Sequence, residues 1–90
     1  MLKHLNIRIS GKVQGVFFRA STKDQAVIFG IKGFVRNESN GDVYIEAEGE
    51  ENQLNEFLKW CRQGPSRARV DNLNIKESEV VNFDSFEVRR

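Results

Sequence analysis

A glycine-containing segment near the N-terminus, residues 11–19, most constrains how this chain can fold; its sequence is Gly-Lys-Val-Gln-Gly-Val-Phe-Phe-Arg. Before it, apolar and polar residues alternate, which predicts a strand. After it, apolar residues recur near helical spacing and predict a helix over residues 18–29. A strand that leads through a short loop into a helix brings the unpaired N–H groups of the first helical turn to that loop. Because the helix dipole is positive there, the loop is expected to bind an oxyanion such as phosphate.

Arg19 is expected in the first turn of this helix, where its guanidinium group can donate two parallel hydrogen bonds to phosphate oxygens. Residues 11–19 contain no carboxylate, imidazole or thiol. The segment therefore predicts an anion-binding loop with one fixed cation and without a catalytic acid or base.

A second segment, residues 33–37, has the sequence Gly-Phe-Val-Arg-Asn and is followed by Gly41, Val43 and Gly49. Together the two segments resemble the two signatures of the acylphosphatases, in the same order. Two long signatures are a more specific signal than a glycine-rich loop alone. The resemblance extends from about Leu5 to Arg90, essentially the whole chain.

This resemblance implies an enzyme that hydrolyses the carboxyl–phosphate bond of acyl phosphates to a carboxylate and inorganic phosphate. It implies that Arg19 is catalytic and binds phosphate, and that Asn37, at the end of a strand, orients water for in-line attack. It also implies a phosphate-binding loop formed by the backbone N–H groups of Gln14, Gly15, Val16, Phe17, Phe18 and Arg19. Inorganic phosphate or sulfate would then be a competitive ligand of the same loop.

The chemistry of an acyl phosphate suits these residues. The leaving carboxylate is already stable as an anion, so no general acid has to protonate it. The remaining tasks are to stabilise charge on the phosphoryl group and to align the attacking water. The chain has one histidine, one cysteine and scattered carboxylates without the spacing of metal ligands. We therefore expect no metal and no cofactor.

Periodicity predicts an α+β fold. Strands are expected over residues 5–10, 31–37 and 43–48, around Leu73 and Ile75, and around Phe86 and Val88. A second helix is expected from Glu50 and Glu51 to Gly64, with Leu54, Phe57, Leu58 and Cys61 on its apolar side. The order βαββαβ predicts a ferredoxin-like sandwich, an antiparallel sheet with two helices on one face. The resemblance implies a short extra C-terminal strand, and residues 1–90 are expected to form a single domain.

Charge and composition limit the classes of molecule that the chain is expected to bind. The chain has 14 basic and 13 acidic residues in 90, a net charge of +1, which argues against electrostatic binding to nucleic acid or to a membrane. No apolar run is long enough for a signal peptide or a membrane span. The single cysteine, Cys61, excludes an internal disulfide and fits a reducing compartment. We expect a cytoplasmic monomer that acts on a small-molecule acyl phosphate.

The alternative is a ferredoxin-like module that binds RNA or a regulatory ligand without catalysis. Lys32-Gly33-Phe34 resembles the start of an RNA-recognition signature, which the following Val35 does not continue. Phe34 is expected either to line the substrate entrance or to cover the sheet. Gly41 and Gly49 are expected in turns, and His4 is expected to be isolated.

Overall fold

The computed structural model describes all residues, Met1–Arg90. The elements are β1 (Leu2–Lys12), α1 (Phe18–Phe29), β2 (Lys32–Asn37), β3 (Val43–Glu50), α2 (Glu51–Gln63), β4 (Arg69–Ser78) and β5 (Phe86–Val88). The five strands form one sheet in the order β4-β1-β3-β2-β5. All neighbours are antiparallel except β2 and β5, which are parallel. The predicted ferredoxin-like fold with its short extra C-terminal strand is confirmed.

Both helices pack against one face of the sheet, and the hydrophobic core lies between that face and the helices. Strand β1 shows why: Leu5, Ile7 and Ile9 are buried, while the residues that alternate with them lie on the opposite face. Because successive strand side chains point to opposite faces, this alternation assigns the apolar set to the helical side. Helix α2 contributes Leu54 and Phe57 to the same core.

Cys61 also lies in this core, as expected from its place on the apolar side of α2. Burial raises the pKa of its thiol far above the usual value. A thiol that is buried and kept protonated is a packing group and not a nucleophile.

The adjacent strands β1 and β4 are both longer than predicted from the sequence. Strand β1 spans Leu2–Lys12 instead of residues 5–10, and β4 spans Arg69–Ser78 although most of its side chains are exposed. The two strands pair along their length, from His4 opposite Ser78 to Lys12 opposite Arg69. Backbone pairing extends both strands beyond the residues whose side chains are buried.

Gly11 bends the end of β1 toward the following loop. The register with β4 shifts between Ser10 and Gly11, and Gly11 has φ +130°. A Cβ atom at this position would lie 2.1 Å from the carbonyl oxygen of Arg69, so only glycine fits here. Gly49, in contrast, does not lie in a turn as predicted. It lies within β3, where a Cβ atom would meet the side chain of Ile31 at 2.6 Å.

His4 is not isolated, contrary to the prediction. It is 1% exposed and its Nδ1 lies 2.7 Å from a carboxylate oxygen of Glu48, itself 4% exposed. Phe83 stacks on the imidazole with the ring centroids 5.6 Å apart. The same carboxylate accepts hydrogen bonds from the backbone N–H groups of Val81, Asn82 and Phe83. Glu48 thereby holds the connection from β4 to β5 on the face of the sheet opposite the helices.

Glu48 should make stability depend on pH. Burial alone would raise its pKa, but the hydrogen bonds from His4, Val81 and Phe83 outweigh burial and lower the pKa below 4.5. Because the unfolded carboxyl has the higher pKa, the charged side chain stabilises the fold above about pH 4.5. This contribution is lost as the pH falls through the folded pKa. Glu48→Gln should lower the free energy of unfolding at pH 7 by about 2 kcal/mol.

Urea unfolding of both proteins between pH 3 and pH 7 tests this expectation. The variant should show a weaker dependence on pH than the parent protein. Glu79→Gln is the matched control, because Glu79 is exposed and lies in the same connection. Equal losses in the two variants would contradict the assigned role of Glu48.

Candidate active site

The loop between β1 and α1 leaves the start of the helix without a cap. Phe17 is the N-cap residue and has a left-handed backbone, with φ 63° and ψ 24°. Its side chain makes no capping hydrogen bond, and the first turn of α1 contains no acidic residue. An uncapped helix start presents its N–H groups and its positive dipole to whatever lies in front of it.

The backbone N–H groups predicted to bind phosphate have no acceptor within the protein. These are the N–H groups of Gln14, Gly15, Val16, Phe17, Phe18 and Arg19. The first backbone hydrogen bond from this region runs from the N–H of Ser21 to the carbonyl of Phe17, at 3.0 Å. A run of free donors at the start of a helix is a suitable arrangement for binding an anion.

Arg19 is half-buried in the first turn of α1 and has no carboxylate partner. Its Nη1 donates a hydrogen bond to the backbone carbonyl of Arg89, at 3.0 Å. A neutral carbonyl fixes the position of the guanidinium group without neutralising it. The remaining N–H donors of Arg19 are therefore free for an anion.

Asn37 is the last residue of β2 and pairs with Val43 of β3. Its side chain lines the same cleft as Arg19 and forms no hydrogen bond with another protein group. A free amide at the end of a strand can accept a hydrogen bond from water and donate another to a phosphate oxygen.

Gln14 connects the loop to the β2–β3 hairpin. Its side-chain amide donates to the carbonyl of Glu38 at 2.8 Å and to the carbonyl of Asp42 at 2.9 Å. Glu38 directly follows Asn37 in the sequence, so this amide fixes the distance between the two signatures. The contribution of Gln14 thus includes its side chain as well as the predicted backbone N–H.

A cleft of about 710 Å³ joins these groups. It is lined by Val13, Gly15, Phe17, Phe18, Arg19, Ala20, Asn37, Val88 and Arg90. None of the side chains that line it is a carboxylate, an imidazole or a thiol. The structure thus places Arg19 and Asn37 together, while the Gln14 side chain faces the hairpin and the Val16 side chain is buried in the core.

Residues 88–90 contribute to the cleft, which was not predicted from the sequence. Val88 and Arg90 line the cleft, and Arg89 supplies the carbonyl that holds Arg19. These residues reach the site because β5 pairs in parallel with β2, where Val35 lies opposite Val88. No local pattern around residues 88–90 indicates this pairing.

Phe34 does not line the cleft; it covers the sheet on the face opposite the helices. Its ring contacts Phe83, with the centroids 5.9 Å apart, and the guanidinium carbon of Arg89 lies 3.9 Å from its centroid. Tyr44, the next aromatic ring on this face, is flanked by Arg8 and Arg36. A stacking surface for RNA bases needs exposed rings, and Phe34 is buried.

A sequence model of the acylphosphatase family matches residues 5–88. The chain belongs to the acylphosphatase family. A protein from Archaeoglobus fulgidus named acylphosphatase is 48% identical over 84 residues, which are 93% of this chain and 94% of the relative. One from Syntrophus aciditrophicus is 44% identical over 89 residues, which are 98% of this chain and 93% of the relative.

Comparison with solved structures also places the chain in the acylphosphatase family. The structure of an acylphosphatase from Coxiella burnetii superimposes with a TM-score of 0.94 and 39% sequence identity, covering 98% of this chain and 93% of that one. These matches confirm the enzyme class predicted from the sequence. Neither helix of this chain has the length and the apolar composition needed to cross a membrane.

Proposed function

We propose that this protein hydrolyses small-molecule acyl phosphates by in-line attack of water on phosphorus. One observation supports the proposal: Arg19, Asn37 and the free N–H groups of residues 14–19 meet at one cleft, and no carboxylate, imidazole or thiol side chain lines that cleft. This set of groups suits a reaction that needs charge stabilisation and alignment but no proton donor.

In this mechanism the phosphate group binds to the free N–H groups and to two donors of the Arg19 guanidinium. Gly15, with φ +73° and no neighbour near a Cβ position, lets the backbone approach the phosphate. These donors are in place before substrate binds, because Arg89 fixes Arg19 and Gln14 fixes the loop. Preorganised donors stabilise the charge that spreads over the phosphoryl oxygens in the transition state.

Asn37 orients the attacking water through its amide oxygen. An amide is a poor base, so Asn37 positions the water and does not remove its proton. The substrate phosphate itself is the proton acceptor, since no side chain that lines the cleft is a suitable base. The carboxylate leaves as an anion, and the phosphate product retains the water oxygen.

We also propose that residues 1–90 act as one monomeric domain in the cytoplasm. The family match over residues 5–88 and a single hydrophobic core between sheet and helices support one domain. The presence of a single cysteine, the buried Cys61, is compatible with a reducing compartment.

A comparison of two substrates tests the proposed reaction. The protein should hydrolyse benzoyl phosphate, whose leaving group needs no proton, with kcat/KM at least about 100-fold above that for an alkyl phosphate monoester, whose leaving alkoxide needs a general acid. Activity should be the same in EDTA, because the proposed groups compensate charge without a metal. Comparable activity on both substrates, or loss in EDTA that a divalent ion restores, would contradict the mechanism.

A further inference from the structure

Phe17 occupies a position that neither backbone preference nor packing explains. Its φ of 63° lies in the left-handed region, which bulky side chains rarely adopt and which favours glycine or asparagine. Its side chain is 74% exposed, so the ring gains almost no burial in return. The unfavourable backbone conformation and the exposed ring together indicate that Phe17 serves a function and does not contribute to the stability of the fold.

Val88 shares this environment. It is 41% exposed, lies in β5, and lines the same cleft as Phe17. Ala20, also exposed, lines the same cleft. Val27 and Ile28 on α1 are exposed as well, but they do not line the cleft. The exposed apolar residues that line the cleft beside the proposed phosphate-binding groups are therefore Phe17, Ala20 and Val88.

The cleft is larger than a phosphate group requires. Its volume of about 710 Å³ lies in the range of pockets that bind drug-sized molecules. A phosphate held by the N–H groups of residues 14–19 would fill only part of this volume. The acyl group of the substrate is covalently attached to that phosphate, so it must occupy neighbouring space.

We propose that Phe17, Ala20 and Val88 form an acyl-binding subsite that selects acyl phosphates with aromatic or long apolar acyl groups over acetyl phosphate. This inference rests on the proposed function and assigns the substrate class of the same site. The side chain of Phe17 is a specificity determinant, while its backbone N–H belongs to the phosphate loop. An apolar acyl group buries surface against the ring, whereas an acetyl group is too small to do so.

The selectivity ratio, kcat/KM for benzoyl phosphate divided by kcat/KM for acetyl phosphate, isolates this subsite. Phe17→Asn keeps a residue that tolerates the left-handed backbone and removes the ring. The ratio should fall about tenfold, mainly through a higher KM for benzoyl phosphate. Any change in the phosphate loop affects both substrates and cancels in the ratio.

Two further variants complete the experiment. Val88→Ser should lower the ratio in the same direction and keeps the test valid if Phe17→Asn does not fold. Val27→Asn is the matched control, because Val27 is 67% exposed and lies outside the cleft; it should leave the ratio unchanged.

The outcomes separate this inference from the proposed function. Hydrolysis of both substrates with an unchanged ratio in Phe17→Asn and Val88→Ser would overturn the subsite and leave the reaction standing. A parent protein that hydrolyses neither substrate would overturn the proposed function itself. A fall in the ratio in Val27→Asn equal to that in Phe17→Asn would also overturn the subsite.

Discussion

Replacing Arg19 with alanine should lower kcat/KM for benzoyl phosphate by about 1,000-fold or more, the scale on which an arginine acts in phosphoryl transfer. The change removes the half-buried cation of the cleft, which has no carboxylate partner and is held in place by the carbonyl of Arg89. Arg19→Lys should recover little, because an ammonium group cannot reproduce two parallel hydrogen bonds in one plane. Steady-state kinetics on the three proteins measures this effect.

Arg90 provides the control for charge alone. It lines the same cleft but is exposed near the chain terminus. Arg90→Ala should therefore cause a far smaller loss than Arg19→Ala. Equal losses would mean that the cleft needs positive charge in general and not the fixed guanidinium of Arg19.

Binding of inorganic phosphate gives an independent readout of Arg19. A ligand that binds the folded state stabilises it by RT ln(1 + [L]/Kd), so phosphate should raise the Tm of the parent protein. The increase should be absent in Arg19→Ala. An equal increase in that variant would place the bound anion elsewhere on the molecule.

Asn37→Ala should lower kcat by about 100-fold, the effect of removing one contact made in the transition state. Competitive inhibition by phosphate should stay nearly unchanged, because Arg19 and the free N–H groups remain. A fall in kcat without a change in ground-state affinity identifies a group that acts on the attacking water. The measurements are kcat for benzoyl phosphate and the inhibition constant of phosphate.

Asn40→Ala is the control for the hairpin. The Asn40 side chain hydrogen-bonds Asp42 in the same hairpin and lies outside the cleft. Its replacement should leave kcat within about twofold, since it changes local turn structure only. If Asn37→Ala instead weakens phosphate inhibition as strongly as Arg19→Ala does, Asn37 binds the phosphate and does not position the water.

Much of the fold follows from local periodicity. The two helices and the central strands bury one apolar face each, so alternation or helical spacing marks them in the sequence. Strand β4 and the ends of β1 carry few buried side chains and are extended by backbone pairing. Their length could not be predicted because hydrogen bonds between strands leave no pattern of residue types.

The candidate site, like the fold, could be predicted from the sequence only in part. Arg19 and Asn37 lie within the two signatures and were predicted through the resemblance, and their joint position at one cleft follows from the topology. Val88, Arg90 and the carbonyl of Arg89 reach the cleft only through the β2–β5 pairing. The hydrogen bond between His4 and Glu48 likewise joins residues 44 positions apart, a distance at which no local pattern operates.

The hydrogen bond from Arg19 to the Arg89 carbonyl links the candidate site to the edge of the sheet. Strand β5 has 3 residues, of which only Phe86 is buried. Short edge elements with few buried contacts open in sub-global fluctuations at a lower free energy than the core. Each such opening releases Arg19 from its acceptor and removes one wall of the cleft while the central strands stay protected. On heating, we therefore expect the candidate site to be lost at a lower temperature than the one at which the whole domain unfolds cooperatively.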